Sequence, residues 1–131
     1  MFPRLALFVT ALLLSSSPLL SAEKPMAAGE HVVIQGQSLR LHGVDVPSAD
    51  EICTTSGGRQ WPCGRRVRDE VARAVSLDEV VCQPAERETA ICRISGIDLG
   101  ALLVKEGLAK AAGDYQALED RARAAKIGIW E

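Results

Sequence analysis

The chain has 131 residues, 15 basic and 17 acidic, with a net charge of −2 and only 4% aromatic side chains. Such a balance excludes binding of nucleic acid through bulk positive charge, because phosphate affinity follows local neutralisation by Lys and Arg. Few aromatic rings also limit the core that a small domain can bury, so a covalent staple is useful at this size.

Met1 to Arg4 forms a short positive start, "LALFVTALLL" (5–14) is an uncharged apolar run, and "SSSPLLSA" ends in small residues at Ser21 and Ala22. That order is the pattern of a secretory signal peptide over 1–22, and the run is too short to span a bilayer core of roughly 30 Å. Cleavage after Ala22 is the favoured reading, with Ala27 and Ala28 as other sites and a retained membrane anchor as the alternative. The expectation is one exported domain over 23–131, periplasmic or extracellular and monomeric, with no later segment able to cross a membrane. Loss of Arg4 with the leader makes the net charge one unit more negative.

All four cysteines, Cys53, Cys63, Cys82 and Cys92, lie beyond the leader. Four cysteines allow three pairings, and an oxidising compartment favours disulfides. Cys53–Cys63 with Cys82–Cys92 is the preferred arrangement, the second pair closing "QPAERETAI" between two strand-like runs. A zinc site competes with this reading, although the spacing is not the short Cys-x-x-Cys type.

Residues 23–30 are weakly patterned. "HVVIQGQSLRL" reads as a hairpin turning at Gln35-Gly36-Gln37, and 46–63 as a long loop clipped by one disulfide. Over 64–76, Val67, Val71, Ala74 and Val75 make one apolar helical stripe, with Arg65, Arg66, Arg68 and Arg73 around it. That cluster is read as a solvated face, with phosphate binding as its alternative role. Strands follow near 79–83 and 89–94. Asp98 can cap a helix through "LGALLVKEGLAKA", broken at Gly113, and Asp114 can cap a last helix ended by Gly128. Trp130 reads as a core plug, His31 as an exposed strand start and His42 as a packed or partly exposed strand residue.

Four segments, in order, resemble the thermonuclease (staphylococcal-nuclease-like) family over about 29–130. They are "IQGQSLRLHGVDVP", "WPCGRRVRDEV", "ISGIDLGALLVKEGLAKA" and "ARAAKIGIW". The resemblance implies an α+β fold, a five-stranded OB barrel with three helices, its first strand weak or missing here. It also implies calcium-dependent hydrolysis of DNA and RNA phosphodiesters. Carried over by position, the arginines that stabilise phosphoryl charge fall on Arg40, pointing inward, and Arg87; the calcium carboxylates fall on Asp45 and Glu30. A mutual salt bridge is the alternative role for Arg40 and Asp45, and an ordinary loop position for Arg87.

The chain departs from the family pattern at the remaining positions. Glu30 stands for an aspartate and His31 for a threonine, "PAERE" lacks the family loop's tyrosine and glycine, and Ser48 occupies the position of the catalytic glutamate. A serine hydroxyl is neither anionic nor a useful base at neutral pH without an activating partner. Activity is therefore expected to be impaired, and nucleic-acid binding weak, unless the loop bends to present Asp50 or Glu51. The other reading is a non-catalytic, disulfide-stapled binding module.

Overall fold

The computed structural model describes residues 31–131; the expected leader and Glu30 lie outside the described residues. His31–Ile34 (β1) and Gln37–Arg40 (β2) form the expected hairpin. Gln35 and Gly36 between them both have positive φ, 50° and 76°, the combination whose twist suits a two-residue hairpin. Strand alternation then sorts the side chains: Val32 and Ile34 are buried, whereas Val33 is 63% exposed.

Leu41 makes a parallel bridge to Ala90 and so joins the hairpin to a second sheet. The chain next turns at Gly43 (φ 73°), where a Cβ would lie 2.9 Å from Asp114. It enters Val44–Asp45 (β3), which pairs antiparallel with Lys110–Ala111 (β9). The expected long loop carries a small ribbon, Cys53–Thr54 (β4) against Gln60–Trp61 (β5). Cys63–Leu77 (α1) follows directly, with Val67 and Val71 buried in the core.

Val80–Ala85 (β6), Thr89–Ile94 (β7) and Ile97–Asp98 (β8) form a three-stranded meander in which Cys82 faces Cys92. Both favoured disulfides are present, Cys53–Cys63 and Cys82–Cys92. Asp98 caps Leu99–Lys105 (α2) by accepting from the Ala101 N–H, and its other oxygen accepts from the Tyr115 hydroxyl at 2.7 Å. Burial, reinforced by that bond and the charge of Asp98, pushes the Tyr115 phenol up.

Two helix boundaries differ from expectation. Helix α2 stops at Lys105 instead of continuing to Ala111, because Gly107 adopts φ 66°. The Gly107 and Leu108 N–H groups then donate back to Val104 and Leu103, a Schellman stop closed by two buried leucines. This frees Lys110–Ala111 to pair with β3. Asp114 does not cap the last helix, Gln116–Ala125 (α3); it lies 3.1 Å from His42 Nε2, while His42 Nδ1 is 3.0 Å from Thr89 Oγ1.

The fold is thus α+β, with three helices and four small antiparallel sheets among the described residues. These strands do not close into a barrel. One continuous core, running from Val32 and Ile34 through Val67 and Val71 to Leu99, Leu103 and Val104, binds the sheets together.

Helix α3 is fastened by a buried acid. Glu119 is 3% exposed and accepts from the Ala111 N–H of β9 and from Arg123, which also lies 3.9 Å from the Trp130 ring centroid. Burial alone would raise the Glu119 pKa, but the Ala111 N–H and the Arg123 guanidinium outweigh it and hold the carboxyl below the usual range. A depressed carboxyl stabilises the fold above its unfolded pKa and loses that contribution as pH falls through the folded value. Glu119→Gln should therefore cost about 1–3 kcal/mol at pH 7, and the gap to wild type should narrow on acidification below the ordinary glutamate value of 4.5. Urea denaturation across pH measures it. By the same assay, replacing both Cys82 and Cys92 with alanine should lower stability by about 2–3 kcal/mol, the chain entropy of the closed loop.

Candidate functional site

Asp45 is placed by β3, directly across the ladder from Lys110. Behind it Val46 is buried as an anchor, and Pro47 leads into a turn over 48–51. That turn is closed twice: the Glu51 N–H donates to the Ser48 carbonyl at 2.9 Å, and the Ser48 N–H donates to Glu51 Oε2 at 3.0 Å. The second bond bends the Glu51 carboxylate back to Ser48. The contact has the pattern of the carboxylate half of a Ser-x-x-Glu capping box, here closing a turn and not a helix.

The start of α1 holds the turn from behind. The Gly64 N–H donates to the Glu51 carbonyl at 3.2 Å, and a Cβ on Gly64 would fall 1.6 Å from the Ser48 carbonyl oxygen. Only a residue without a side chain permits that approach. The Cys53–Cys63 disulfide closes the same region covalently. Asp45 and Glu51, both exposed, consequently line one cleft of about 340 Å³, with Lys110 and Trp130 among its other walls.

The remaining expected site residues are placed elsewhere. Arg40 is exposed; its strand neighbour Leu41 is buried, so the core-facing side of this segment belongs to the leucine. Arg40 lines a different cleft, of about 430 Å³, with His31, Gln83, Glu88 and Thr89. No ion pair joins Arg40 to Asp45 among the described residues. Arg87 is exposed in a tight turn over 86–88, itself in the left-handed conformation (φ 55°). Trp130 is half-buried beneath Arg123 and forms part of the Asp45 cleft.

The cleft's electrostatics are simple: two carboxylates beside one ammonium, in contact with solvent. Hard oxygen donors of this kind suit calcium. Glu51, Cys53 and Cys63 also approach one another closely enough to ligate a metal, but the two sulfurs are spent in a disulfide, and the thiolate is the ligating form. This group is therefore a staple.

Lys110 was not foreseen as a cleft residue, since a helix extended to Ala111 hides its pairing with β3. The useful signal was the glycine at 107, four residues before Ala111. Gly64→Ala should lower stability by about 1–3 kcal/mol through overpacking, read by urea denaturation, and should release the 48–51 turn to faster proteolysis. No model of a known protein family matches the chain, and no curated protein matches it either.

Proposed function

We propose that this is an exported, thermonuclease-like domain with a weakened calcium-dependent phosphodiesterase centre. One observation carries the reading: the Glu51 carboxylate is bent back to Ser48 and shares a cleft with Asp45. On this reading Glu51, three residues further along, substitutes for the carboxylate missing from position 48. Asp45 would hold the ion, with Glu30 as the further family position. Calcium, when bound, supplies charge to polarise a phosphate oxygen. Glu51 serves as the acceptor for a proton from attacking water, Ser48 orients Glu51 through its N–H, and Lys110 offsets negative charge in the cleft.

The accompanying fold reading is an OB-type arrangement of five strands left open at the first. Both β1 and β6 have a single strand partner among the described residues, and Val33 and Val81 on them are exposed. Export agrees with two disulfides and with the absence, among the described residues, of a helix long and apolar enough to cross a membrane.

A second reading, a non-catalytic binding module, is favoured by Arg40 lining a cleft other than that of Asp45. Phosphoryl-charge stabilisation needs guanidinium groups at the reacting phosphate. The two readings separate in one assay of calcium-dependent cleavage of single-stranded DNA. The enzyme reading expects slow wild-type cleavage abolished by EDTA, by Asp45→Asn and by Glu51→Gln. It also expects about a 10²-fold gain in Ser48→Glu, the lower range for a restored general base. No cleavage in wild type and none in Ser48→Glu would leave the binding module.

A further inference from the structure

We infer that Arg65 and Arg68, on the first two turns of α1, are phosphate-contacting residues that hold a single-stranded nucleic-acid backbone beside Glu51. The inference rests on the proposed function and names its substrate-binding track. Glu51 faces two clefts at once. One holds Asp45 and Lys110; the other, of about 220 Å³, is lined by Arg65 and Arg68 together with Asp50, Glu51 and Ile52. Arg65 and Arg68 therefore share a cleft with Glu51, and they come from the helix rather than from β2.

Helix stability does not explain these arginines. The positive end of a helix dipole favours acids in the first turn and bases in the last; α1 has no acid in its first turn and no base in its last. Arg59 pairs with Glu131, Arg73 with Glu70 and Arg123 with Glu119. The exposed guanidinium groups of Arg65 and Arg68 have no hydrogen bond or ion pair among the described residues. Two planar, exposed forks of this type match phosphate oxygens.

Arg65 also lines the adjoining cavity of about 570 Å³, with the half-buried Trp61 among its walls. Single strands are held where phosphates meet arginines and unpaired bases stack on aromatic rings; Asp69, Glu70, Glu106 and Glu131 share this cavity with the arginines and confine the cationic contact to the helix start. Asp50 and Glu51 oppose an anion in the smaller cleft. That opposition supplies a second, opposite-signed test.

The experiment is fluorescence anisotropy with a labelled oligothymidylate of about 12 nucleotides, in EDTA and at low salt, so that binding is read without cleavage. Arg65→Ala/Arg68→Ala should weaken binding at least tenfold. It should also flatten the dependence of log Kd on log salt by about 1.4, from ~0.7 per phosphate contact on a single strand. Glu51→Gln should tighten binding severalfold, its amide oxygen still able to accept from Ser48. Arg121→Ala, an exposed arginine on α3, should change nothing. Absence of wild-type binding, an unchanged double variant, no gain in Glu51→Gln or an equal loss in Arg121→Ala would each overturn the inference. Loss of cleavage with this binding pattern intact would count only against the phosphodiesterase reading.

Discussion

The close approach of α1 to the 48–51 turn is the constraint on which the candidate site depends. A backbone carbonyl, that of Ser48, occupies the space where a side chain on Gly64 would be. Because the helix sits that near, its Gly64 N–H reaches the Glu51 carbonyl. The turn then has its backbone fixed on both sides, by β3 before it and the helix after it, and Glu51 has one short path back to the Ser48 N–H. Hydrogen bonds of this kind contribute only about 1 kcal/mol each. Glu51 is held by their convergence with a disulfide and a packed glycine, and by none of them singly.

Much of the fold was legible because its signals are local. The glycine-centred hairpin at 35–36, the valine stripe of α1 and the Asp98 cap each declare themselves within a few residues, and all three are present. The cysteine pairing was favoured by the equal spacing of the sequential pairs and by the strand-like runs on either side of the second, and both bonds are present. Helix α2 was read too long because Leu108 continues the apolar period of Leu103 and Val104, and periodicity does not register a left-handed glycine between them. The end of α2 decides what pairs with β3, so one misread boundary concealed Lys110 as well. Asp114 looked like a cap from sequence, but its partner His42 lies far away along the chain.

The candidate site was less legible than the fold. Carrying a family's residues over by position assigns roles to single side chains, whereas a site is made by clefts that several elements share. Asp45 holds its place at the end of a strand, and Glu51 was visible as a nearby acid. That its carboxylate folds back toward position 48 depends on the helix behind it, which no local pattern encodes. The arginines of α1 read as a solvated face because helical periodicity puts them opposite the core. It says nothing about which loop lies alongside.

The covalent bond at the rear of this clamp gives the cleft a history as well as a shape. A newly made chain, its sulfurs still reduced, must hold the 48–51 turn by hydrogen bonds and packing alone. The entropy that the closed Cys53–Cys63 loop removes from the unfolded chain, about 2–3 kcal/mol, is then missing. With the sulfurs joined, that constraint acts together with the hydrogen bonds of the turn on the segment that lies between Asp45 and the disulfide.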